Sequence, residues 1–100
     1  MFNLTGKKAL VTGASGGLGG AIVRALAAQG ATVALSGTRA DALEAVRAEL
    51  GDKHPALPCN LSDEAAVDGL IGRAEEALGG LDILVSNAGV TKDGLLLRMK

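Results

Sequence analysis

Two periodicities alternate along this chain, and the alternation limits its fold more than any single residue does. Apolar runs at residues 8–12 ("KALVT"), 31–37 ("ATVALSG"), 54–60 ("HPALPCN") and 81–87 ("LDILVSN") read as strands. Between them apolar residues recur at helical spacing. The first stripe is Leu18, Ile22, Ala25, Leu26 and Ala28, and the second is Leu43, Val46 and Leu50. The third and clearest is Val67, Leu70, Ile71, Ala74 and Leu78. Gly30, Gly51 and the Gly79-Gly80 pair stand where helices stop. Ser62 suits a helix N-cap, with Asp63 and Glu64 at the positive end of the helix dipole. Strands separated by helices run parallel, joined by right-handed crossovers with helices on both faces. The expectation is therefore an α/β chain, β-α-β-α-β-α-β, around a parallel sheet. Pro55 and Pro58 cost ladder hydrogen bonds and put the third strand at a sheet edge.

Composition narrows the class. One hundred residues, 48% of them hydrophobic and 21% charged, fit one globular domain with an aliphatic core. The net charge of −1 comes from interleaved acids and bases, so the basic footprint of a nucleic-acid binder is missing. No apolar run reaches the roughly 18 residues of a membrane span, and the lone Cys59 cannot form an intramolecular disulfide. A soluble, cytoplasmic protein without nucleic-acid, membrane or metal partners is expected.

The first strand leads straight into "LVTGASGGLGG", where five of the eight residues from Gly13 to Gly20 are glycine. In open α/β sheets ligands bind at the carboxyl ends of strands. The start of the following helix offers unpaired N–H groups and partial positive charge, which suit a pyrophosphate. Gly13 permits a tight turn, Gly17 lets phosphates approach the main chain, and Gly19 lets helix and strand pack closely. The spacing is not G-x-G-x-x-G, because Ile22 falls where the third glycine belongs. A phosphate loop with Lys-Ser/Thr is also absent. A plain glycine-rich turn is the competing reading.

"TGASGGLG" (12–19) resembles the T-G-x-x-x-G-x-G signature of short-chain dehydrogenases/reductases, and "SNAG" (86–89) resembles their N-N-A-G element after the fourth strand. Both lie in register, and the resemblance covers essentially the whole chain. Within the family, "NAGVTKDGLLLRM" looks most like the bacterial 3-oxoacyl-[acyl-carrier-protein] reductases. The resemblance implies a Rossmann-like, doubly wound sheet with strand order 3-2-1-4. It also implies that residues 1–100 are the dinucleotide-binding part of one domain, truncated before its later strands.

Carried over residue by residue, the resemblance implies that Gly13, Ser15, Gly16, Gly17, Leu18 and Gly19 line the cofactor's phosphates and ribose. Asn60 would hydrogen-bond the adenine, Leu61 would lie against it, and Asn87, Ala88 and Gly89 would flank the nicotinamide-side ribose. Structural alternatives stand beside these: a loop hydroxyl for Ser15, an Asx turn for Asn60, a strand-pinning role for Asn87.

Cofactor choice turns on "LSGTRAD" (35–41). A carboxylate at the end of the second strand would hold ribose hydroxyls and repel a 2′-phosphate. None occurs before Asp41, while Thr38 can donate to a phosphate and Arg39 can grip one in a bidentate fork. NADP(H) is therefore expected over NAD(H). The alternative makes Thr38-x-x-Asp41 a capping box and Arg39 a solvated first-turn residue. Against NADP(H), Gly16 stands where many such relatives carry a basic residue.

His54 reads as an exposed loop residue and Cys59 as a small buried filler. Lys92 and Asp93 read as a solvated loop. The family's chemistry uses a Ser, a Tyr-x-x-x-Lys pair and a later Asn, yet the chain holds no tyrosine and no serine beyond Ser86. No catalytic residue is therefore assigned. The resemblance implies NADPH-dependent reduction of an acyl-carrier-protein-bound 3-oxoacyl group by a full-length homotetramer. A non-catalytic dinucleotide-binding module, or a relative acting on another alcohol or ketone, is the alternative. The segment from Leu95 is expected to begin a helix, leaving the fourth strand's edge naked and the isolated piece weakly folded or self-associating.

Overall fold

The computed structural model describes residues 3–14, 17–51, 53–60, 64–86 and 96–99. The expected order of elements is present. It runs β1 (Lys8–Val11), α1 (Gly17–Ala28), β2 (Thr32–Gly37), α2 (Ala40–Leu50), β3 (Ala56–Pro58), α3 (Glu64–Leu78), β4 (Ile83–Ser86) and β5 (Leu96–Met99). The sheet order is β3-β2-β1-β4-β5. The first four strands are parallel, with Val11 level with Leu35 on one side and Val85 on the other. β3 lies at the edge, as its prolines require, and pairs with β2 from Ala56 opposite Leu35 to Pro58 opposite Gly37.

Alternate residues of the buried strands feed two cores. On one face Ala9, Val11, Val33, Leu35, Ile83 and Val85 meet Val23 of α1 and Leu43 and Val46 of α2. On the other, Leu10 and Ala34 meet Leu70, Ala74 and Leu78 of α3. The chain builds outward from β1 to β3, then returns across the opposite face through α3 to β4. The reversal falls between β1 and β4, which is the switch point where doubly wound sheets open a crevice.

Three expectations are corrected. The first concerns residues 96–99, which form a strand rather than the start of a helix. β5 runs antiparallel to β4, with Leu96 opposite Ser86 and Met99 opposite Ile83. Only residues 87–95 link the two strands, and a parallel crossover needs a dozen or more. An antiparallel return fits that length and covers the edge of β4.

The second correction is His54, which is 2% exposed. Its Nδ1 accepts the Val33 N–H at 3.0 Å. β3 ends its ladder at Pro55, whose carbonyl accepts from Leu35 N–H at 2.8 Å. The Val33 N–H comes next along β2, and the imidazole supplies the acceptor the strand no longer provides. Burial, with Lys53 adding to it, lowers the His54 pKa from its ordinary value.

The third is the inward face of α1. Gly19, Gly20 and Val23 are its buried residues, whereas Leu18 is 57% exposed. Ile22 and Leu26 pack only partly against the core. Ile71 of α3 is likewise exposed. Cys59 is buried as expected.

Candidate functional site

Because β1 to β4 are parallel, the segments leaving them emerge along one edge of the sheet. Thr12, Gly13 and Ala14 leave β1, Thr38 and Arg39 leave β2, and Cys59 and Asn60 leave β3. The β1–α1 segment is anchored on both sides. Thr12 N–H donates to Val85 O at 3.0 Å, and Ala14 N–H donates to Ser36 O at 2.9 Å. Between these anchors Gly13 sits at φ +64°, a left-handed conformation that a β-carbon penalises.

The segment leads into the start of α1 at Gly17. Gly17 is exposed, and a β-carbon built on it meets no atom within 4 Å. Nothing in the described fold therefore requires glycine there. No acidic residue occupies the first turn of α1, so the helix places no carboxylate of its own against its partial positive charge. Leu18 presents apolar surface beside it, and Gly19 turns inward. An exposed helix start with no acid in its own first turn, flanked by an apolar side chain, is suited to a phosphate ester.

Thr38 and Arg39 are exposed next to this start. Arg39 occupies the N-cap position of α2 and no side chain caps it, so the Thr38-to-Asp41 capping box does not form. Its guanidinium instead lies 3.7 Å from the Asp41 carboxylate, and both side chains are more than two-thirds exposed, at 71% and 81%. Asn60 is exposed at the end of β3. It is placed there by Cys59 N–H donating to Gly37 O at 2.8 Å and by Arg73 of α3 donating to Pro58 O at 3.1 Å. Ser15, Gly16, Leu61, Asn87, Ala88 and Gly89, with Ser62, Lys92 and Asp93, lie outside the described residues.

Two residues that shape this edge carried no assigned role in the sequence. A β-carbon on Gly20 would lie 3.4 Å from the Ala14 carbonyl and 2.9 Å from the Arg24 guanidinium, itself paired with Glu49, so this glycine lets α1 sit close under the loop. Ser36 is fully buried, and its hydroxyl donates to Leu57 O at 2.7 Å, locking β2 to β3 just below Thr38 and Asn60. The signal for Gly20 was present in the five-glycine cluster, but no motif position pointed to it.

Known proteins with this pattern are enzymes and a nodulation protein. Nodulation protein G of Rhizobium sp. (strain N33) is 61% identical over 99 residues, covering 99% of this chain and 40% of its own. The 3-oxoacyl-[acyl-carrier-protein] reductase of Escherichia coli (strain K12) is 44% identical over 99% of this chain and 41% of its own. The chain thus spans about 40% of the length of these curated relatives. Among solved structures, 3-ketoacyl-(acyl-carrier-protein) reductase from Brucella melitensis, complexed with NADH, aligns with TM-score 0.81 and 38% identity over 86% of this chain and 35% of that one. A family profile described as short chain dehydrogenase matches residues 7–100, and the chain belongs to that family of oxidoreductases.

Proposed function

We propose that the chain is the nucleotide-binding part of an NADPH-dependent 3-oxoacyl-[acyl-carrier-protein] reductase. The observation that carries this is the exposed start of α1, where no described residue lies within 4 Å of a β-carbon built on Gly17. The nicotinamide, when bound, supplies the hydride. The residues of this chain bind and orient it. Main-chain N–H groups from Gly17 onward hold the diphosphate, with Leu18 along its ribose side. Thr38 and Arg39 take the 2′-phosphate, Arg39 through a charge-assisted fork. Asn60 and Leu61 hold the adenine, and Asn87, Ala88 and Gly89 the second ribose. Ser15 and Gly16 complete the phosphate loop. The likeness to two reductases of acyl-carrier-protein substrates supports the substrate class. A cytoplasmic homotetramer belongs to the same proposal for the whole protein.

The higher identity to nodulation protein G favours a second reading, in which the same nucleotide site serves a different carbonyl substrate. The proton-donating Tyr-x-x-x-Lys pair of either enzyme is expected in the coding sequence beyond Lys100. A stop codon there would leave a binding module without catalysis. The direct test is a fluorescence titration of the whole protein with NADPH and with NADH. NADPH is expected to bind about tenfold tighter, a difference of about 1.4 kcal/mol. Thr38→Asp should reverse the order, because a carboxylate repels the 2′-phosphate and accepts from ribose hydroxyls. Equal binding of both cofactors before and after the substitution would refute the assignment.

A further inference from the structure

We propose that Asp41 is a specificity-determining residue that restrains NADPH binding, by competing through its carboxylate with the 2′-phosphate for the guanidinium of Arg39. The assignment rests on Arg39 as the 2′-phosphate contact. Asp41 is the acidic residue in the first turn of α2, two positions beyond the N-cap Arg39. Its Oδ2 lies 3.7 Å from Nη2 of Arg39. At that separation the pair is electrostatic, beyond the 3.2 Å limit of an ordinary N–H···O hydrogen bond. Exposed pairs of this kind contribute little to folding. The charge placed beside Arg39 therefore has its main consequence for whatever else approaches Arg39.

A 2′-phosphate and a carboxylate compete for a guanidinium, since each presents a pair of anionic oxygens to its fork. NADPH must displace Asp41 from Arg39 or share the fork with it, and either way the phosphate comes to rest near a second anion. NADH brings only ribose hydroxyls to the same place and meets no such opposition. Asp41 therefore narrows the gap between the two cofactors while Arg39 widens it. Near a solvated surface, the interaction of one carboxylate with a phosphate a few ångströms farther off amounts to a several-fold change in affinity at low salt.

The test is equilibrium titration of the whole protein with NADPH and NADH, in about 20 mM and about 500 mM potassium chloride, a range that spans weak to nearly complete screening. Asp41→Asn is expected to tighten NADPH about threefold to tenfold at low salt, to leave NADH within about twofold, and to lose most of the gain at high salt. Asp41→Glu keeps the charge and should retain the original preference. If the aspartate serves only to stabilise the start of α2, Asp41→Asn weakens or leaves unchanged both cofactors in parallel, and the proposal falls. Arg39→Ala separates this failure from a deeper one. NADPH affinity that drops with Arg39→Ala but ignores Asp41→Asn overturns the role of Asp41 alone. NADPH affinity indifferent to Arg39→Ala removes the phosphate contact itself, and the role of Asp41 with it.

Discussion

The two ends of the sheet are finished differently. At the amino-terminal end the chain closes its own ladders with side chains. Lys8 N–H donates to Asp82 Oδ2 at 2.9 Å, Asp82 N–H returns a bond to Lys8 O at 2.8 Å, and His54 completes β2 through Val33. There Gly30 is pressed against the chain itself, with a β-carbon placed 2.7 Å from Thr5 Oγ1 and 3.1 Å from its main-chain nitrogen. At the carboxyl-terminal end the strands are tied by main-chain bonds together with the side chains of Ser36 and Arg73, and beyond those ties lie an exposed Gly17, an exposed Leu18 and a helix whose first turn carries no acid. One end has glycine because the fold demands it. At the other, Gly13 and Gly20 also answer to the fold, but Gly17 stands where the described fold is indifferent, and such a position needs a reason outside it.

The largest effect that can test this contrast lies at Gly30. Its φ of +101° falls outside the range that side chains adopt comfortably, and the Thr5 backbone fills the space. Gly30→Ala should cost about 3 kcal/mol of stability, combining backbone strain with displacement of the turn at residues 4–7. Thermal and urea melts check it. A loss below about 0.5 kcal/mol, the scale of an ordinary surface substitution, would mean that this end is no tighter than the other.

His54 comes next. Removing the imidazole leaves the Val33 N–H buried without its acceptor, so His54→Ala should cost about 2 kcal/mol. The same geometry fixes a pH dependence. With Nδ1 accepting, the neutral ring carries its proton on Nε2, and a second proton on Nδ1 would face the Val33 donor. Burial first, and the Lys53 charge second, hold the folded pKa below its ordinary 6.5. Below pH about 6.5 the unfolded chain takes up a proton that the folded chain resists. Stability should thus fall as pH drops from there through the lowered folded value, then level off. Urea midpoints at pH 7.5 and 5, compared between the parent chain and His54→Ala, isolate this contribution. Equal pH dependence in both would show that the histidine does not couple to folding.

The order of elements was legible because each strand and each helix carries its own periodicity, and the edge position of β3 because prolines cannot donate. What escaped was set by neighbours. His54 looks like a loop residue until β2 is seen to need an acceptor beyond Pro55. The inward face of α1 escaped because Gly19 and Gly20 carry no hydrophobic signal, so periodicity pointed to Leu18, which faces outward. Residues 96–99 are apolar and short, a pattern that fits helix or strand equally, and the length of the preceding connection decided between them. At the site, Gly13 and Gly17 were readable from type and spacing. The contact between Arg39 and Asp41 was not, because the same four residues also spell a capping box.

The smallest expected effect bears most directly on the contrast. A β-carbon at Gly17 meets no described atom within 4 Å, so Gly17→Ala should leave the melt unchanged or raise stability by about 0.5 kcal/mol through better helix propensity. Its methyl group would nevertheless stand where a diphosphate must approach the first N–H groups of α1. Nucleotide affinity should fall about tenfold, equivalent to about 1.4 kcal/mol, and Gly17→Val should deepen the loss. Parallel melts and NADPH titrations read the two quantities on the same samples. Stability and affinity moving apart at Gly17, where only stability moves at Gly30, is the signature of a position held open for a ligand. Unchanged affinity in a folded Gly17→Val chain would instead make the cluster a hinge, and the two ends of the sheet would differ in shape without differing in purpose.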